Sequence, residues 1–405
     1  MGNKISNRRY LTAAAAYFDE DKIWVSNMDF NGLYYYEMFS GKTVFVSSFL
    51  NEKNDTWRLH NKIVKCENEL YFIPDRSKYI HVFNESNKEM KAYDLSIAGR
   101  ANCKNAICYK GKIYFASEAE GVLLCSIDTI TKRIQKKQMN IKYNGKLCRD
   151  MLLVNECIYI ALKEMDVVVK YSIEQDSFTK YEVSGDGNGF GTICFDGRFF
   201  WLSNSNGILQ WDEENEKILS VKEFPKGFGM SVIEKGKYME VDGFTNQYVT
   251  SEKPFEFSVL NEDNILFFPF RTNMIVKLDV KRNVLEEVVL EDEAEDEKTL
   301  SRKGRITACH YLGWNEKENL VFVSTNTKAI YIKNEMANKH ERLKKIFLWA
   351  QEPENIPLYL KNAYLYEEEL DGSLEDFLNN ATVKDLLLKI ERKNIGRVIY
   401  EYLKQ

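Results

Sequence analysis

Seven cations fall at related places along this 405-residue chain. Arg58, Arg100, Arg149 and Arg305 each stand just ahead of an apolar segment, and Arg76, Lys163 and Arg271 stand in polar loops between two such segments. A guanidinium is a planar donor fork suited to carboxylate or phosphate, so cations gathered on one face would hold an anionic ligand. The carboxylates Asp75, Glu118 and Asp186 share these loops, and a pair of carboxylates at a suitable separation hydrolyses glycosidic bonds. Phe190 and Phe228 sit in glycine frames, Gly187-Asn188-Gly189-Phe190-Gly191 and Gly227-Phe228-Gly229. An exposed ring there would stack on a flat ligand; the plainer reading is a tight connection. The glycine-dense stretch precedes a strand rather than a helix, which excludes a phosphate cradle, and it lacks the downstream Glu of a calcium loop. The four histidines, His60, His81, His310 and His340, lack metal-ligand spacing, so neither a metal nor a cofactor is expected.

The elements that must position these groups repeat. Short apolar runs begin at Ile23, Leu70, Ile113, Ile158, Phe199, Ile265 and Leu320, at intervals of 47, 43, 45, 41, 66 and 55 residues. Ten residues after each start comes a second apolar position: Leu33, Ile80, Leu123, Val168, Leu209, Ile275 and Ile330. Turn-forming residues lie between, as in Asp29-Phe30-Asn31-Gly32 and Asp75-Arg76-Ser77-Lys78. With an apolar strand upstream and a further strand after a polar turn, each unit reads as four antiparallel strands, A to D. Units of this length repeated radially make a β-propeller, which leaves only short strand edges. The expected fold is therefore all-β: about seven four-stranded blades, with six to eight compatible with the spacing. The interval from 199 to 265 is too long and carries a strand-turn-strand signal near Met230–Tyr238. It is either an insertion hairpin or a degenerate extra blade. The acidic run Glu291–Glu297 reads as a solvated loop, or more sharply as a partner-binding segment.

From Ala106 to Lys132 the unit runs: apolar strand, Lys-Gly-Lys, Ile-Tyr-Phe, polar loop, apolar strand, Asp-containing turn. This resembles the Kelch and galactose-oxidase-like group of β-propellers over residues 10–350. The diglycine of that group is replaced by Ala116-Ser117, Ile73-Pro74 and Leu202-Ser203, and no Trp-Asp dipeptide closes a strand C. The resemblance implies a fold and carries over no catalytic residue and no Tyr/His copper set.

Beyond residue 350 the period changes. Ser373-Leu374-Glu375-Asp376 and Thr382-Val383-Lys384-Asp385 resemble helix-opening boxes, and Leu386, Leu387 and Ile390 recur at helical spacing. The expected organisation is a propeller over 1–350 and a short helical tail over 351–405 that docks on it. A net charge of −5 argues against nucleic acid. No run is long enough for a transmembrane segment and none resembles a secretory signal. Eight scattered cysteines read as free, buried thiols of a cytoplasmic protein. Met1-Gly2-Asn3-Lys4-Ile5-Ser6 fits an N-myristoylation pattern, although so short a motif also matches by chance.

The expected function is recognition without catalysis. A polypeptide or an acidic small molecule, such as a sugar derivative, would bind the face where the D–A connections and B–C loops emerge around the channel. The ligand-contacting set is Arg58, Arg76, Arg100, Arg149, Phe190, Arg271 and Arg305. The alternative is a glycan hydrolase or lyase using carboxylates of the same face.

Overall fold

The computed structural model describes residues 9–350, apart from single residues and short segments, chiefly 98–100, 119–121, 142–146, 184–186, 243–252, 293–308, 315–319, 325–328 and 334–341. In 229–242 and 291–350 it describes the backbone alone. The expected helical tail lies outside the described residues.

A short strand β1 (Arg9–Tyr10) precedes six four-stranded antiparallel sheets in chain order. The first is β2 (Ala13–Asp19), β3 (Lys22–Asn27), β4 (Leu33–Glu37) and β5 (Thr43–Ser47). The second is β6 (His60–Cys66), β7 (Glu69–Pro74), β8 (Tyr79–Asn84) and β9 (Glu89–Asp94). The third is β10 (Cys103–Tyr109), β11 (Lys112–Ser117), β12 (Leu123–Asp128) and β13 (Ile134–Gln138). The fourth is β14 (Leu147–Val154), β15 (Cys157–Leu162), β16 (Val167–Ser172) and β17 (Ser177–Glu182). The fifth is β18 (Thr192–Phe195), β19 (Phe200–Ser203), β20 (Ile208–Asp212) and β21 (Lys217–Lys222). A separate hairpin, β22 (Gly229–Glu234) with β23 (Lys237–Asp242), interrupts the series, so the overlong interval holds an inserted hairpin. The sixth sheet is β24 (Phe255–Asn261), β25 (Asn264–Pro269), β26 (Ile275–Asp279) and β27 (Val284–Val288). The chain then forms β28 (Glu291–Asp292), β29 (Cys309–Trp314), β30 (Leu320–Ser324), β31 (Ala329–Lys333) and β32 (Arg342–Ile346), in the spatial order β28-β32-β31-β30-β29. Finally β33 (Trp349–Ala350) pairs antiparallel with β1.

Local chemistry explains the meander. The A–B hairpins of the third and fourth sheets turn through two residues at positive φ, Lys110-Gly111 and Asn155-Glu156, the geometry that matches the twist of the flanking strands. The C–D turns are closed by a side chain. Asp128 Oδ1 accepts the Ile130 and Thr131 N–H groups at 3.0 and 2.8 Å, and Asn84 does the same for Ser86 and Asn87.

The core lies between sheets. Tyr71, Ile73, Ile80 and Val82 of the second sheet pack on Ile113, Phe115, Leu123 and Cys125 of the third. Similar clusters join the first to the second, the third to the fourth, the fourth to the fifth and the fifth to the sixth. Strands B and C are thus covered on both faces, so β11 is buried nearly throughout, whereas the outer β13 is largely exposed. The innermost strands touch in the order β2, β6, β10, β14, β18, β24, β29, and β29 touches β2 again. This closed order carries seven as the proposed blade count.

Candidate functional site

The start of each innermost strand pairs with the end of its neighbour, as His60 does with Pro74. The D–A connections and B–C loops therefore emerge at one end of the sheets, which is where the sequence places its cations.

A B-C loop residue ties down a nearby D-A connection in the first four sheets. Asn31 Nδ2 donates to the Phe49 carbonyl at 3.0 Å and Oδ1 accepts the Phe49 N–H at 2.7 Å. Asp75, fully buried, takes Arg58 Nε at 2.7 Å, and its carbonyl accepts the Asn102 N–H at 2.7 Å. Glu118 accepts the Leu147 N–H at 2.8 Å and a bond from Asn102 Nδ2, with Lys104 Nζ 3.8 Å away. Asp166 accepts the Gly187 and Gly189 N–H groups, both at 2.6 Å.

The innermost strands carry a second recurring device. Register breaks fall near the start of β2, β6, β10, β14 and β24, and a bulge re-aims the extra side chain. Asn61 Nδ2 donates to the Cys103 carbonyl on the next innermost strand at 2.6 Å. Asn105 Nδ2 donates to Met151 at 3.3 Å. Asp150 Oδ2 accepts the Ile193 N–H at 3.3 Å, and the Ser258 N–H and hydroxyl at 2.9 Å each. Bulged side chains thus cross-link neighbouring innermost strands.

Solved structures with the same arrangement include a streptogramin B lyase, at 12% identity and TM-score 0.52, covering 78% of this chain and 94% of that one. U3-55K aligns at 10% identity and TM-score 0.51, over 86% of this chain and all of that one. The WD40 repeats of RRP9 align at 11% and 0.51, over 84% and 97%. The chain is a β-propeller. No family model matches it, and no curated protein does. At these identities the likeness concerns fold alone.

The propeller places the expected site residues unevenly. Arg58, at φ +52°, is neutralised by Asp75 and also reaches Asn61 Oδ1 at 3.2 Å. Arg76 lies flat on Trp57, its guanidinium carbon 3.5 Å from the ring centroid. Arg149 lies on β14, where only its backbone is described, and Arg100, Arg271 and Arg305 lie outside the described residues. Phe190 requires a correction. It is fully buried among Cys148, Tyr159, Ala161 and Phe200, so it offers no ring to a ligand. Its glycine frame serves close approach: at Gly189, φ +63°, a Cβ would stand 2.6 Å from the Lys163 backbone. Phe228 is also buried, stacked on Phe224 with centroids 3.9 Å apart. The seven described cysteines are free thiols, but Cys108 is exposed rather than buried.

Two buried polar centres set the electrostatics. Burial raises the Asp150 carboxyl to about 8, against the three bonds it accepts, and the Glu256 charge raises it further. Burial lowers the Lys62 ammonium to about 8, opposed by the attraction of Asp150. Farther out, Ser26, His60 and His81 form a directed chain. The Leu50 carbonyl only accepts, so His81 Nε2 donates to it at 2.8 Å. His81 Nδ1 then accepts from His60 Nε2 at 2.9 Å, and His60 Nδ1 from the Ser26 hydroxyl at 2.8 Å. Burial disfavours the charged form of both rings, holding His60 well below the usual range and His81 at about 4, so both are neutral near pH 7 and the chain runs in this direction. Among the described residues no group of three His, Cys, Asp or Glu could hold a metal, and no helix could cross a membrane.

Sequence reasoning missed Trp57 and the bulge residues. The latter had a signal: Asn61, Asn105 and Asp150 stand nine, eight and eight residues ahead of the apolar starts Leu70, Ile113 and Ile158.

Proposed function

We propose that this propeller is a non-catalytic recognition module that binds a polypeptide on the face bearing the D–A connections and B–C loops. The observation that carries this is Trp57, 45% exposed on a D–A connection and held beneath the Arg76 guanidinium of a B–C loop. Leu50 is exposed on the same connection. Trp and Arg dominate binding hot spots. A pair already ordered in the free protein loses little side-chain freedom on binding. The alternative, a glycan hydrolase or lyase, draws no support from Asp75 and Glu118, whose carboxylates hold loops together.

The test compares cross-linked partners of the wild type, Trp57→Ala and Lys281→Ala, Lys281 being an exposed C–D turn residue. A polypeptide retained by wild type and Lys281→Ala but lost by Trp57→Ala is expected. With that partner purified, calorimetry should show Trp57→Ala weakening affinity by about thirtyfold or more. A partner set indifferent to Trp57, or glycan-array binding that survives Trp57→Ala, would sink the reading.

A further inference from the structure

Away from that face, a cavity of about 640 Å³ opens between the outer strands of the third and fourth blades. Lys112, Arg133, Lys136 and Lys137 line it, with Tyr171 and one carboxylate, Asp176. Asp176 is engaged by Lys137 and by the Tyr171 hydroxyl. Lys136 Nζ donates to the Ser96 carbonyl at 2.9 Å. Among the described residues Lys112 and Arg133 make no ion pair, although Lys112 feels the Asp128 and Asp176 charges. The lining therefore carries an excess of positive charge in a protein whose net charge is −5.

This wall of the cavity is also a strand edge. β13 pairs with β12 alone among the described strands, and an unpaired edge is a template for another extended chain. The same molecule shows such an addition on another blade. There β28 lies parallel on β32, Glu291 opposite Arg342 and Asp292 opposite Leu343. The added strand, Glu291-Asp292, is acidic and opens the acidic run of the sequence, and the receiving strand is basic, Arg342-Leu343-Lys344-Lys345-Ile346. The third blade's outer strand carries a closely similar run, Arg133-Ile134-Gln135-Lys136-Lys137.

We propose that the edge of β13 is a docking site for an acidic, extended polypeptide segment of a partner protein, which adds as a fifth strand to the third blade. Backbone bonds to the β13 edge would supply the pairing, and Lys112, Arg133 and Lys136 the selection for carboxylates. Residues 130–133 form the turn into β13 and include Ile130, 88% exposed, which gives the segment an apolar contact at one end.

The probe is a fluorescent peptide with the sequence of residues 288–297, titrated by anisotropy into the whole protein. Saturable binding that weakens with salt is expected. Arg133→Glu with Lys136→Glu should weaken it by roughly tenfold or more, the variant's circular dichroism and melting curve being unchanged. Methylating alternate backbone nitrogens of the peptide should abolish binding while its charge stays the same. Absence of binding, equal binding by the charge-reversed protein, or equal binding of the methylated peptide overturns the proposal. So does equal, competing binding of a single-stranded oligonucleotide, which would make the groove a general polyanion site. A variant that fails to fold is replaced by the single substitution Arg133→Glu, for which a proportionate loss is still required.

Discussion

The innermost and outermost strands of one blade are built for opposite purposes. On the innermost strands the polar side chains at the bulges are bound by another part of the chain: Asn61 to Cys103, Asn105 to Met151, and Asp150 to Ile193 and Ser258. On the outer strand β13, Gln135 and Lys136 face solvent, and Arg133 in the preceding turn has no ion-pair partner among the described residues. Charge near the axis thus serves closure, since a buried polar group costs stability unless bonded. Charge at the rim remains available to a partner. The Arg58–Asp75 pair shows that an arginine ahead of strand A can belong to the first class.

The largest expected effect breaks neither class but the walls between them. Phe115, fully buried between the second and third blades, should cost about 3–5 kcal/mol when changed to Ala. Chemical denaturation would read this as a lower midpoint with an unchanged slope. A smaller loss would mean that the blades can slide together.

The buried histidines come next. Their pKa values are lowered on folding, so the stability they permit is present above the unfolded value near 6.5 and is lost as pH falls through the folded values. For His81, held at about 4, this amounts to about 3 kcal/mol across that window. Measured at pH 7, 6, 5 and 4, the denaturation midpoint of the wild type should fall relative to that of His81→Asn. An unchanged slope would refute the neutral-ring assignment.

Asp150 should act in the opposite direction. Its folded pKa is raised, so its contribution is present below the unfolded value near 4 and declines as pH rises toward about 8. Asp150→Asn, which keeps an acceptor, should remove this decline. Asp150→Ala should cost about 1–3 kcal/mol, because the Ile193 and Ser258 donors lose their acceptor. Equal stability of the Asn and Ala variants would show that the cross-link does not hold the innermost strands.

The smallest stability effect sharpens the contrast most. Trp57→Ala should change stability by no more than about 0.5 kcal/mol, although it should abolish partner binding. A substantially larger loss of stability would move Trp57 from the recognition class to the structural one.

The strand order, the hairpin turns and the two-residue alternation of the outer strands were legible in the sequence, because each depends on residues within a few positions of one another. Asp128 closes its own turn, and Lys110-Gly111 sets its own hairpin. Even the insertion at 229–242 was marked by its interval. The sequence likewise placed Arg58 and Arg76 on one end of the blades. Whether a given side chain there is offered or consumed was decided by tertiary structure. Arg58 is neutralised by a residue from a separate loop, and Arg76 is displayed on a tryptophan from another. Phe190 looked exposed because glycines surround it, yet those glycines let the chain run so close to Lys163 that the ring is driven inward. Asp150 meets Ser258, 108 residues away, only because the innermost strands of the fourth and sixth sheets converge on each other. Local propensity reports the path of the backbone; ring closure brings distant charges together, and burial then fixes their protonation and their partners.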